Sequence, residues 1–155
     1  MLDRALLVSL IAAAVGSGVV GGIFYAFSTF VMAGLGRLPA EQGAAAMNHI
    51  NVTVINPLFM AAFMGTALLC LILAIGSAFW WAEPAAKLVL AASLLYLVGC
   101  FGVTMAFNVP LNNELAATGT AAWARYQQAW TMWNHVRTVA PILSLILFIT
   151  ALMAK

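Results

Sequence analysis

Apolar and polar positions alternate along this chain on a coarse scale: four long apolar runs are separated by one short and two longer polar stretches. The runs cover approximately 5–32, 57–81, 86–107 and 138–154. About 20 consecutive apolar residues cross the hydrocarbon core of a bilayer as a helix, so each run predicts a membrane span. The expected fold is an all-α membrane protein, a four-transmembrane-helix bundle forming one domain over 1–155. Polar helical extensions are expected on the side opposite the termini. The first run opens like a signal peptide, with Asp3 and Arg4 ahead of it, but it continues through FYAFSTFVM and reads as a retained span. Within it, Ser17/Gly21 and Gly18/Gly22 form small-xxx-small pairs suited to close helix packing.

The polar, aromatic stretch Thr120–Pro141 (TAAWARYQQAWTMWNHVRTVAP) has a helical period. Trp123, Gln127, Trp130, Asn134, Arg137 and Pro141 recur at steps of four and three and so share one face. Thr120 is the expected N-cap, and Pro141 the expected kink into the last span. The stretch GLGRLPAEQGAAAMNHINVTVINP has the same grammar. Pro39 opens a helix carrying His49, Thr53 and Asn56 on one face, with Asn48 and Asn51 to the other side, and Pro57 leads into the second span. The third span ends in NVPLNNEL, where Asn108, Asn112, Asn113 and Glu114 crowd around Pro110.

Composition supports the membrane reading. Of 155 residues, 65% are hydrophobic and 6% charged, far outside the range of a soluble domain. A net charge of +2 with no basic cluster gives no footprint for nucleic acid. Cys70 and Cys100 lie in apolar runs, Cys100 nearer a rim and Cys70 deeper, and are expected as free buried thiols. Four spans put both termini on one side and both polar connections on the other. Arg4, Lys87 and Lys155 then balance Arg37, Arg125 and Arg137. Discounting Arg137 as a site residue tips orientation toward cytoplasmic termini, with a bacterial inner membrane as the expected location.

The polar groups converging on one end are His49, His135, Arg137, Tyr25, several asparagines and the tryptophans. Ionisable groups near membrane depth face a bundle interior or a wet cavity. They imply an aromatic-walled pocket for a flat apolar molecule arriving from the bilayer. His135 or His49 would act there as base, and Arg137 with amide donors would stabilise an anion. Tyr25, Asn51, Asn108, Asn112, Trp130 and Asn134 are the expected substrate-binding residues. No cofactor is expected; the alternative is copper, iron or haem held through His49 and His135, although the spacing matches no metal motif. A different class of function is also compatible with this inventory: a membrane subunit or transporter binding a lipid, quinone, haem or metal at the same end. A homo-oligomer is compatible with either.

GIFYAFSTFVMAGLGRLP, AMNHIN, NVPLNNEL, and the W-x-x-Y and W-x-x-W-N-H-V-R-T pattern together resemble the anthrone oxygenase family of small membrane proteins, from about Gly22 to Thr138. The resemblance implies a four-helix membrane protein that oxidises a flat aromatic or phenolic substrate with dioxygen. By motif position it points to His49, Asn108, Pro110, Asn112, Trp130, Asn134, His135 and Arg137. In the reaction it implies, a base removes an acidic methylene proton. His135 is expected in that role, with Arg137 and Asn112 holding the oxyanion and His49 positioning or relaying.

Overall fold

A computed structural model describes residues 4–154, and all regular structure in that range is helical. The first rod is α1 (Arg4–Ala26), a π-helical turn at Phe27–Val31 and the short α2 (Met32–Leu35). Next come α3 (Ala40–Thr53) and α4 (Pro57–Ser77), then a third rod that starts as α5 (Pro84–Leu94). That rod passes through π-helical segments Leu95–Gly102 and Thr104–Asn108 into α6 (Val109–Thr118). The last rod is α7 (Trp123–Met153). Three stretches are long and apolar enough to cross a membrane: Arg4–Leu35, Pro57–Trp80 and Pro84–Met153. The third doubles back at Gly119, whose φ of +57° suits glycine at a helix end, so the molecule has four long rods.

The rods alternate in direction. Ser17 Oγ and Ser144 Oγ lie 3.3 Å apart, while Ser28 and Thr138 hydroxyls meet at 2.9 Å, so α1 and α7 run antiparallel. Tyr96 donates its hydroxyl to the Phe63 carbonyl at 3.0 Å across the second and third rods. Close packing explains the small residues of α1. A Cβ on Gly21 would stand 3.2 Å from Ile142, and one on Gly18 3.3 Å from Leu145. These glycines serve helix packing, as the small-xxx-small pairs imply. Cys70 and Cys100 are free and fully buried in one core cluster, as the sequence implies.

Three local expectations change. Pro57 does not merely kink the chain; α3 and α4 are separate helices. Asn56 caps α4 by accepting from the Leu58 and Phe59 amides at 3.1 and 3.0 Å. Thr120 lies in a 3₁₀ turn (Gly119–Ala122), and α7 starts after Ala122 with no side-chain cap. Helix α7 passes through Pro141 as one continuous element. In the third rod, Pro110 sits in the first turn of α6, and the wider π-helical turn before it accommodates its ring.

The two polar connections fold over the end of the bundle opposite Arg4 and Met153. There Met32, Ala44, Met47, Leu115, Trp123, Tyr126 and Trp130 make a second small core. Gly43 lets α3 reach it. A Cβ at this position would lie 2.6 Å from Cζ2 of Trp123 and 2.9 Å from the Leu35 carbonyl. Since backbone crowds one side, Gly43→Ala is expected to destabilise the protein by about 1–3 kcal/mol, read as a lower thermal midpoint in detergent. An unchanged midpoint would mean that α3 is not docked on Trp123.

Candidate functional site

Between the bundle and this second core lies a cavity of about 380 Å³, within the size range of small-molecule sites. The aromatic side of its wall is built by Phe24, Phe59, Phe63 and Phe101. Phe59 and Phe63 are stacked at 5.7 Å, and Phe63 meets Phe101 at 5.6 Å. Helix α3 contributes Met47, Ile50, Asn51 and Val54, a 0-3-4-7 stripe on one helix face. Trp130, Asn112 and Arg137 close the far side.

Arg137 is 5% exposed, and its guanidinium is clamped between two rings. Its Cζ lies 4.1 Å from the Phe24 centroid and 4.5 Å from that of Trp130. Nε donates to Asn134 Oδ1 at 2.9 Å. No other hydrogen bond from this side chain is found among the described residues, and the one ion pair found there is Arg125 with Glu114, elsewhere on the surface. A buried cation with no counter-charge is costly, and cation–π contacts offset only part of that cost.

Asn112 is fixed by two donors. Tyr126 Oη and Trp130 Nε1 each donate to its Oδ1 at 2.8 Å, which leaves its amide NH₂ as an unpaired donor at the cavity. Burial pushes the Tyr126 phenol above its ordinary range, so it donates as a neutral hydroxyl. The Asn51 Nδ2 is buried without a hydrogen-bond partner. The polar groups at the cavity are therefore the Arg137 guanidinium, the Asn112 and Asn51 amides and the Thr104 hydroxyl.

The sequence-derived residues thus separate into three groups. Arg137, Asn51, Asn112 and Trp130 line the cavity. Asn134 and Asn108 stand behind it. Asn134 donates to the Phe24 carbonyl at 2.8 Å and the Ser28 hydroxyl at 2.7 Å while holding Arg137, so its amide is fully engaged. Asn108 donates to the Trp130 carbonyl at 3.2 Å. Both position α7, and neither lines the cavity as a substrate-binding group. Tyr25, His49 and His135 are exposed and lie outside it. His135 lines a shallow recess with Ser28, Gln127 and Thr131 on the other side of α7. Residues two positions apart in a helix are about 200° apart around its axis, so the helix itself sets His135 and Arg137 on different faces. His49 does not contribute to the His135 recess. No group of three or more His, Cys, Asp or Glu that could hold a metal ion gathers among the described residues. Phe24 and the methionines at positions 60, 64 and 105 are site residues that carried no signal in the sequence.

The fold and cavity define an all-helical, membrane-compatible protein with an aromatic-walled cavity. Residues 58–147, more than half of the chain, match the family model of anthrone oxygenase, and the chain belongs to that family. No curated protein and no solved structure matches it.

Proposed function

We propose that this is a membrane-embedded oxygenase whose cavity binds a flat, enolisable aromatic ketone as its anion. The observation that carries the reading is Arg137, a buried cation with no counter-ion among the described residues, facing an aromatic cavity. Such a site is complementary to an oxyanion spread over a ring system. The four rods are read as four crossings. With Arg137 buried in a site, the remaining positive charges keep the lean toward cytoplasmic termini and a bacterial inner membrane.

In this reading the ketone gives its methylene proton to water, and the enolate oxygen rests against Arg137 and the Asn112 amide. The carbanion transfers an electron to dioxygen, the resulting radicals couple at that carbon, and the peroxide anion takes a proton back from water to give a hydroperoxide. Loss of water leaves a new carbonyl: one ketone and one dioxygen give one quinone and one water. The cavity captures and stabilises the anion, and an exposed histidine beyond its wall has no part in the step.

Oxygen uptake by the protein in nanodiscs with anthrone tests this. Consumption of one dioxygen per quinone formed is expected, and no uptake above the lipid blank would sink the proposal. His135→Gln is expected to retain turnover within about threefold. Loss of a general base costs about 10²–10⁴-fold, so a drop of that size would reinstate His135 as the base.

A further inference from the structure

The cavity is roofed by the second core and open along its side, where the lining runs from Ile55, 71% exposed at the α3–α4 junction, down to the methionines of the second and third rods. Above it, Met47, Leu115, Trp123 and Tyr126 are each 4% exposed or less. At its inner end Trp130 and Arg137 are 3% and 5% exposed, whereas the lining residues Met64 and Met105 are 44% and 51% exposed. These two belong to different rods. Helix α4 packs against α5 and Leu95–Gly102, but Thr104–Asn108 packs against α7 instead. The second and third rods therefore part just where Met60, Met64 and Met105 line the cavity.

Depth decides what the opening faces. Met64 is two turns into α4, roughly 10 Å below Pro57. The same helix exposes Leu68, Leu71 and Ile72 below it. That is the surface expected to meet acyl chains, and no charged residue lines the opening. Methionine is unbranched and flexible, so this rim can deform around a rigid flat molecule without leaving a fixed hole in the bundle.

We propose that the ligand enters the Arg137 cavity sideways from the bilayer, between the start of α4 and Thr104–Asn108, through a gate formed by Met60, Met64 and Met105. This rests on the ligand-binding reading above and deepens it: the substrate is a molecule that partitions into lipid, and water-soluble anions of the same shape are excluded.

Thiol labelling tests the route without requiring catalysis or an anionic ligand. Thr104, half-buried on the cavity wall, is changed to Cys in a Cys70→Ser, Cys100→Ser background and the protein is placed in nanodiscs. N-(1-pyrenyl)maleimide is expected to label it about tenfold faster than a sulfonated maleimide, because pyrene partitions into hydrocarbon and the sulfonate does not. Met64→Trp with Met105→Trp should slow pyrene labelling about fivefold by filling the gate, whereas Met64→Ala with Met105→Ala should speed it. Equal rates for the two reagents, no labelling by either, or labelling unaffected by the tryptophans would overturn the lateral route. Faster labelling in both double variants would report a loosened fold in place of a gate, and would overturn it too. Failure of anthrone turnover with these labelling rates intact would sink only the oxygenase reading.

Discussion

Arg137→Leu is expected to abolish binding of aromatic anions while leaving the empty protein as stable as before, or more so. Leucine removes a charge that is 5% exposed and has no acidic partner, and it keeps a large apolar group between Phe24 and Trp130. Replacing buried charges with apolar groups is often neutral or stabilising by about 1–4 kcal/mol. Removing one partner of a buried charge contact costs about 3 kcal/mol or more, which is over about 100-fold in Kd. The measurement pairs thermal unfolding of the empty protein with equilibrium binding of 1,8-dihydroxyanthraquinone as its phenolate, followed by quenching of tryptophan fluorescence. Arg137→Lys separates charge from shape. It keeps the charge but loses both the Nε bond to Asn134 and the flat stacking surface, so an intermediate affinity is expected. If Arg137→Leu instead unfolds the protein and Arg137→Lys restores it fully, the arginine is a structural group and the site reading fails.

Asn134→Asp should produce the second largest loss, by a different physical route. The amide oxygen already accepts from Nε at 2.9 Å, so a carboxylate there would sit within ion-pairing distance of the guanidinium. Two unit charges about 4 Å apart attract by roughly 4 kcal/mol at an effective dielectric constant near 20. An internal counter-ion of that strength competes with any bound anion, and affinity is expected to fall by at least about tenfold. Asn134→Ala removes the bond without adding charge, so it should weaken binding less. Equal losses in the two variants would mean that residue 134 acts only through geometry. The comparison therefore asks whether neutrality at this position keeps the Arg137 charge available.

The polar stripe was legible in the sequence because it depends on one helix alone. Trp123, Trp130, Asn134, Arg137 and Pro141, spaced at four and three, are all buried on the same face of α7. The same rule, applied two residues along, separates His135 from Arg137; adjacency in sequence had suggested a partnership that helical geometry forbids. Helix α3 repeats the lesson, since Met47, Ile50, Asn51 and Val54 face the cavity and His49 does not. Tyr25 drew attention as a polar residue near the end of an apolar run, yet its neighbour Phe24 faces the guanidinium and Tyr25 is 54% exposed. What the pattern could not reveal depends on distances between helices. The ring pair around Arg137 joins residues 24, 130 and 137, and the cavity exists because two rods diverge near Met64 and Met105. No periodicity within one helix encodes either fact.

Pro141 has a bearing on how the cation moves. A proline has no amide hydrogen to offer the carbonyl four residues earlier, and in α7 that carbonyl belongs to Arg137. The turn carrying the guanidinium thus lacks one of the ties that bind every other turn of a regular helix to the next. Its ring is packed against α1, where a Cβ on Gly21 would lie 3.5 Å from its Cγ. A pivot of α7 at this joint has one fewer helical hydrogen bond opposing it, and what resists it are the Asn134 bonds to Phe24 and Ser28.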